Sequence, residues 1–155
     1  MSNEWYKKIV LEGKTETLTD AIDFFENELK DARKECKISG SLEQAAARLP
    51  GIFEYRFAQL QEIEGIYRYL NTLLLKERSI LFRKYLEKYN KQLSSREAEK
   101  YIDGEDDIVT LNMLMNSILV IRDQYLGVTK ALDQKNWQIS NITKLKIAGL
   151  DDAQT

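Results

Sequence analysis

The side chains best suited to chemistry in this chain lie in one short segment, KERSILFRKYLEKYNK, at residues 76–91. Cations that neutralise phosphates and rings that stack on bases are the combination by which proteins bind single-stranded nucleic acid without reading its sequence. The segment therefore predicts a nucleic-acid interface whose affinity falls steeply with salt. Its candidate residues are Lys76, Arg78, Phe82, Arg83, Lys84, Tyr85, Lys88, Tyr89 and Lys91.

Structural explanations of the same segment remain open. A lysine-rich helix end is often a solvated face that complements the helix macrodipole, and aromatic residues at helical spacing are often core. Phe82, Tyr85 and Tyr89 are therefore either base-stacking or packing residues, and Tyr85 suits both roles. Binding to a membrane surface uses similar side chains, but the acidic N-terminal third disfavours it, and we expect no membrane partner.

Charge is segregated along the chain, although the total of 23 basic and 25 acidic side chains gives a net charge of only -2. Residues 1–31 hold four basic and eight acidic side chains, whereas residues 76–100 hold eight basic and four acidic ones. Residues 130–146 hold four lysines and one aspartate. The acidic total therefore does not argue against an anionic partner, because local charge decides what a surface attracts.

The composition argues against an enzyme. The chain has no histidine and a single cysteine, Cys36, so the commonest general base and the commonest metal ligand are both missing. The carboxylates Asp103, Glu105, Asp106 and Asp107 lack the alternate spacing of a calcium loop, and acids are favoured at a helix start in any case. We predict no catalytic residue, no metal site and no cofactor.

The apolar runs are short. No segment approaches the ~20 apolar residues that span a bilayer, and the N-terminal MSNEWYKKIV has no signal-peptide pattern. These features predict a cytoplasmic protein.

The elements that must position the basic segment are helices, since one proline and seven glycines leave few breaks. We predict one all-α domain over residues 1–155, with 1–18 loosely ordered and a first helix starting at Thr19. A short helix should run from Ser41 to Leu49, a long one over 50–92, a short one over 94–102, and a second long one over 105–148. Capping pairs support this division: Ser41 with Gln44, and Ser94 with Glu97. The two long helices should form an antiparallel, coiled-coil-like hairpin with the smaller N-terminal helices beside it.

Apolar residues at alternating steps of three and four predict the seam of this hairpin. On the first long helix they are Leu60, Ile63, Tyr67, Leu70 and Leu74. On the second they are Leu111, Leu114, Ile118, Ile121, Tyr125, Val128, Leu132, Ile139 and Ile142, with Lys135 as the one charged residue at a seam position. Beyond Leu74 the first seam continues as Glu77, Leu81, Lys84, Lys88 and Lys91. This end must therefore either splay from its partner or face something anionic.

The second long helix is apolar beyond its seam, at Met113, Met115, Leu119, Val120, Leu126, Trp137, Leu145 and Ile147. One partner helix cannot cover so wide a surface. For residues 111–126, packing of the N-terminal helices and self-association are equally good explanations. For the far end we expect self-association through Trp137, Ile139, Ile142, Leu145 and Ile147, because the partner helix should end near Pro50.

The C-terminal part resembles a known family. The stretch EKYIDGEDDIVTLNMLMNSILVIRDQYLGVTKALDQKNWQISNITKLKIAGLDDA, residues 99–153, is similar to the UvsY family of recombination mediator proteins of T-even-like phages. The similarity lies in the acidic turn, the long helix, an Ala-Leu before a Lys-Trp-Gln-Ile segment, and the acidic tail, and it extends more faintly through residues 60–98.

This resemblance implies a small helical, non-enzymatic protein in the cytoplasm of an infected bacterial host. It implies assembly into a ring of six or seven subunits through the C-terminal region, and binding of single-stranded DNA without sequence preference. It also implies that the protein helps to load a RecA-like phage recombinase onto DNA coated by the phage single-stranded-DNA-binding protein. The alternative is a helical adaptor or assembly chaperone with a solvated basic face.

The family's DNA-binding pair is carried over only in part. The family has a Lys-x-Arg pair before a Leu-acid-x-Tyr segment, which here is Leu86-Glu87-Lys88-Tyr89. The pair then falls on Arg83 and Tyr85, with Lys84 between them. Lys76 and Arg78 form a true Lys-x-Arg upstream and are the competing assignment.

Overall fold

The computed structural model describes residues 3–88 and 92–149. This part of the chain is helical and contains no strand, which confirms the predicted all-α class. Its α-helices are α1 (Glu4–Tyr6), α2 (Leu18–Glu35), α3 (Leu42–Lys88), α4 (Ser95–Asp103) and α5 (Asp106–Ile147), and between α1 and α2 lie a π-helical turn, Lys7–Leu11, and a 3-10 turn, Thr15–Thr17. No helix within these ranges is both long enough and apolar enough to cross a membrane.

The predicted helix boundary at Pro50 is wrong, because α3 begins at Leu42 and runs through the proline. Ser41 still marks the start, since its hydroxyl accepts a hydrogen bond from the backbone N–H of Gln44. A proline inside a helix removes one backbone hydrogen bond. Leu49 is nevertheless buried in the main core, so tertiary packing holds the helix together across this position.

The main core lies where α3 and α5 pack along each other, which is the most extensive contact between any two elements. The predicted seams supply much of it: Leu60, Ile63, Leu70, Ile118, Ile121, Tyr125, Val128 and Leu132 are all buried. Helix α2 packs on α5, and the hydroxyl of Tyr125 donates to the backbone carbonyl of Phe25. The N-terminal helices therefore cover part of the surplus apolar surface of α5.

The predicted loose ordering of residues 1–18 is wrong for the residues that the structure describes. Ile9, in the π-helical turn, is fully buried in the main core. The start of α1 is held by Glu62, whose Oε1 accepts hydrogen bonds from the backbone N–H groups of Trp5 (2.9 Å) and Tyr6 (3.0 Å). A Cβ at Gly65 would lie only 2.9 Å from the ring of Tyr6, so this glycine allows the N-terminal segment to approach α3 closely.

Replacing Glu62 by Leu should destabilise the docked N-terminal segment by about 1–3 kcal/mol, because two backbone N–H donors lose their acceptor. Glu62→Gln keeps the oxygen and should cost much less. Burial raises the pKa of the Glu62 carboxyl above 4.5, so its charged form opposes folding, and that penalty appears as pH rises through the raised pKa. The stability of Glu62→Gln relative to the wild type should therefore be higher at pH 7 than at pH 4.

The fluorescence of Trp5, recorded in a Trp137→Phe background during urea unfolding, measures this docking directly. An early transition of Trp5 in Glu62→Leu, before the loss of helicity, is the expected result. Equal stability of the Leu and Gln variants at both pH values would show that the two hydrogen bonds do not hold the segment.

A second, smaller core closes the other end of the molecule. It contains Leu81, Tyr85, Ala98, Ile102 and Ile108, and joins the end of α3 to α4 and the start of α5. The predicted capping box of α4 is confirmed, because Ser94 and Glu97 bond each other's backbone N–H groups. The predicted end of α5 is also confirmed, with Gly149 just beyond it at φ +71°.

Candidate nucleic-acid interface

The basic segment presents two different faces. Leu81 and Tyr85 point into the smaller core, whereas Arg83, Lys84 and Lys88 are exposed. Leu81 and Tyr85 are four residues apart and form one line along the helix, and Lys84 and Lys88 form the neighbouring line. One end of α3 is therefore structural along one line and basic along the next.

The prediction that the seam of α3 continues through the lysines is wrong for the described residues. Beyond Leu74 the buried positions are Leu81 and Tyr85, while Lys84 and Lys88 are exposed. The buried line moves by one residue because α4 and the start of α5 cover this end of α3. The lysines therefore neither splay the two long helices apart nor lie between them.

Tyr85 is a packing residue. Its side chain is only 9% exposed, its hydroxyl donates a hydrogen bond to Glu105, and its ring stacks on that of Tyr101 with centroids 5.7 Å apart. Phe82 is half-buried against the same core. Tyr89 and Lys91 lie outside the described residues. The described interface is thus built from cations, and we remove Tyr85 from the candidate stacking residues.

The two competing cation pairs are placed differently. Arg78 donates to Asp103 at 2.7 Å, an ion pair that joins α3 to α4. Within residues 3–88 and 92–149, no ion pair engages Arg83 or Lys84. The pair at Arg83 and Lys84 is therefore the one that is available to a ligand.

Lys76 extends the exposed basic face. It stands seven residues before Arg83, which is about two helical turns or roughly 10 Å along the axis. We call Lys76, Arg83, Lys84 and Lys88 the basic face. Glu77 and Glu87 lie on or beside it and lower its net charge, but the cations outnumber them.

The acidic turn has structural partners. Asp103 pairs with Arg78, and Glu105 accepts from Tyr85. Asp106 and Asp107 occupy the first turn of α5, where the helix dipole favours negative charge. Among the described residues, no His, Cys, Asp or Glu side chains group in a way that could hold a metal ion.

The residues predicted for self-association divide into exposed and buried ones. Trp137, Leu145 and Ile147 are 58%, 48% and 82% exposed, and Ile142 is half-buried. Ile139 is only 7% exposed and belongs to the main core. Its predicted place at the interface is wrong, because α3 begins at Leu42 and its first turns, through Ala45 and Leu49, belong to the same core as Ile139.

Sequence reasoning overlooked one further surface, an outward flank of α5 without charge. Its exposed members at helical spacing are Val109, Met113, Asn116, Val120, Gln124, Gly127, Gln134, Gln138 and Leu145. The sequence shows a surplus of apolar residues here, but the stronger signal is the lack of charge along one helical stripe in a chain whose residues are 31% charged. We call this stripe the uncharged flank. Such a flank is typical of a surface that meets another protein, since interface cores are depleted of charged residues.

Comparison with known proteins finds no matching protein family, no matching curated protein and no matching solved structure.

Proposed function

We propose that this protein is a homo-oligomeric recombination mediator that binds single-stranded DNA without sequence preference. The observation that carries the proposal is the basic face at the end of α3. Lys76, Arg83, Lys84 and Lys88 are exposed, while Leu81 and Tyr85 of the same helical segment are fixed in a core. A rigid helix presenting cations in this way suits contacts to phosphates, which position a strand but read no sequence.

The supporting architecture is an antiparallel hairpin of α3 and α5. Its support is the order of contacts: residues 46–53 line one cavity with residues 132–136, whereas residues 73–80 line another with residues 107–111. The start of α3 thus lies beside the last part of α5, and the later part of α3 lies beside the start of α5. The basic face then sits at one end of an elongated molecule, beside the smaller core.

Self-assembly into a ring of six or seven subunits is the second part of the proposal. It is supported by the uncharged flank and by the exposed Trp137, Leu145 and Ile147. Repeating a modest basic face around a ring raises its affinity for a continuous strand through effective concentration, without any stronger single contact.

The proposed partners follow from the resemblance of residues 99–153 to the phage mediator family. We propose that the protein loads a RecA-like phage recombinase onto single-stranded DNA that is coated by the phage single-stranded-DNA-binding protein. It would act in homologous recombination and recombination-dependent repair, in the cytoplasm of an infected bacterial host, without catalysing a reaction itself. A non-enzymatic adaptor or assembly chaperone with a solvated basic face is the alternative.

The test is a titration of fluorescent single-stranded oligonucleotides at several salt concentrations, run beside a mass measurement in dilute solution. We expect binding that is similar for different base sequences, with log affinity falling linearly against log salt. A failure to bind the oligonucleotides at low salt would contradict the DNA-binding proposal and favour the adaptor. A mass equal to one subunit at every concentration would contradict the ring.

A further inference from the structure

A groove of about 360 Å³ lies between the start of α3 and the last third of α5. Its apolar side is formed by Leu49, Pro50, Phe53 and Leu132, and its polar side by Asp133 and Asn136. Phe53 remains 37% exposed, and its ring stacks on that of Phe57, which is 45% exposed, with centroids 6.1 Å apart. Apolar surface is therefore open to a partner at this end of the molecule.

Acidic side chains predominate around the groove, with one exposed cation, Lys130, three residues before Asp133 on α5. Asp133 lines the groove directly, and it is exposed, as are Glu43 and Glu54 of α3. Glu43 stands seven residues before Pro50 and Glu54 four residues after it, so both lie on the same side of α3 as the groove. An occupant should thus bring apolar side chains accompanied by positive charge.

The end of α5 has this chemistry. Lys144 and Lys146 are exposed, and Ile147, which follows Lys144 by one helical turn on the same side of α5, is 82% exposed. Because α5 remains helical through Ile147, this end lies roughly 16 Å along the axis beyond Asn136. It therefore cannot fold back into the groove of its own subunit.

We propose that the acidic-rimmed groove of one copy of this chain receives the Lys144–Ile147 end of α5 from a second copy. Ile147 contacts Phe53 and the apolar wall, while Lys144, one helical turn earlier on the same side of α5, faces the rim carboxylates. The contact joins two different surfaces, and such head-to-tail contacts generate rings when the rotation between subunits closes. The inference rests on the proposed self-assembly and specifies the surfaces that carry it.

The first test replaces Ile147 by Asp and measures the mass distribution over a range of protein concentrations. We expect the concentration at half-assembly to rise by at least about tenfold, since a central apolar contact is lost. Leu75→Asp is the matched control, because Leu75 is 61% exposed on α3, away from both proposed surfaces. It should leave assembly unchanged. Helicity should match the wild type in both variants.

The second test reverses charges across the contact. Asp133→Lys alone and Lys144→Glu alone should each weaken assembly, and the double variant should assemble more tightly than either single variant, because this one pair of opposite charges faces each other again. A double variant that assembles no better than either single variant would overturn the pairing of these two surfaces.

Mixing separates the groove-to-end contact from end-to-end pairing. Asp133→Lys has an intact α5 end and Ile147→Asp has an intact groove, so the mixture should form dimers that neither variant forms alone. A mixture that stays monomeric, or Asp133→Lys that dimerises by itself, would overturn the inference. A wild-type oligomer unaffected by Ile147→Asp would also overturn it while leaving the ring proposal intact, whereas a monomeric wild type would contradict both.

Discussion

Replacing Arg56 by Met should cost about 3 kcal/mol of folding free energy, the lower end of the cost of removing one partner from a buried ion pair, because Glu28 and Glu35 remain partly exposed. Arg56 is only 3% exposed. Its guanidinium donates to Glu28 (2.7 Å), to Glu35 (2.8 and 2.7 Å) and to Gln59 (2.9 Å). The variant leaves both carboxylates of α2 facing α3 without the cation that binds them. Chemical denaturation followed by circular dichroism measures the loss.

Two further replacements make this prediction specific. Arg48→Met removes the same side chain from an exposed position of α3 and should change stability by less than about 0.5 kcal/mol. Arg56→Lys keeps the charge but cannot bridge two carboxylates with a planar fork, so its stability should fall between those of the wild type and Arg56→Met. Equal stability of the Arg56 and Arg48 variants would contradict the structural role of the network.

The pH dependence follows from Glu28. Burial by itself raises the pKa of this carboxyl, but hydrogen bonds from Gln59 and Arg56 outweigh it and hold the pKa below 4.5. A carboxyl whose pKa is lowered by folding stabilises the fold at pH values above its pKa in the unfolded chain. This contribution is lost as pH falls through its pKa in the folded protein. Without Arg56 the burial effect remains and favours the protonated acid. The stability difference between wild type and Arg56→Met should therefore shrink between pH 7 and pH 4.

Helix type and most helix ends could be predicted because they depend on local chemistry. The Ser94–Glu97 box and Gly149 act on their immediate neighbours, and both were found where expected. The continuation of α3 through Pro50 could not be predicted, since local rules end a helix there and only packing against α5 overrides them. The order of the N-terminal segment depends likewise on Glu62 and Gly65, which lie more than fifty residues away in sequence.

The candidate site was predictable in composition but not in orientation. The exposed cations Arg83, Lys84 and Lys88 were identified from charge alone. The side of α3 that these cations face could not be predicted from the sequence. A seam of fixed period fails past Leu74, because α4 becomes the packing partner there. Tyr85 shows the same limit, since one aromatic residue suits a core and a base equally until its neighbours are known.

Charge reversal at Arg83→Glu/Lys84→Glu should produce the largest functional effect in this protein. If each cation contacts one phosphate, the slope of log affinity against log salt should fall by about 1.4 for every subunit that contacts the strand. Single-strand affinity near 0.1 M salt should fall by at least about tenfold, because reversal also adds repulsion. Both side chains are exposed, so the thermal midpoint should hardly change.

The matched control is Lys30→Glu/Lys34→Glu on α2, which changes the net charge by the same amount at exposed positions. A fall in affinity equal to that of the Arg83/Lys84 variant would show that overall charge, not the basic face, governs binding. No fall in either variant would place the DNA elsewhere on the protein.

Arg78→Ala decides between the two cation pairs. In the structure this guanidinium is 31% exposed and held by Asp103, so its removal should cost at most about 1 kcal/mol of stability. It should change DNA affinity by less than about twofold, because a cation already paired with a carboxylate attracts a phosphate only weakly. An affinity loss as large as that of Arg83→Glu/Lys84→Glu would mean that DNA displaces Asp103. The Lys76–Arg78 pair would then be the DNA-binding pair of this chain, and the contact between α3 and α4 would open when DNA binds.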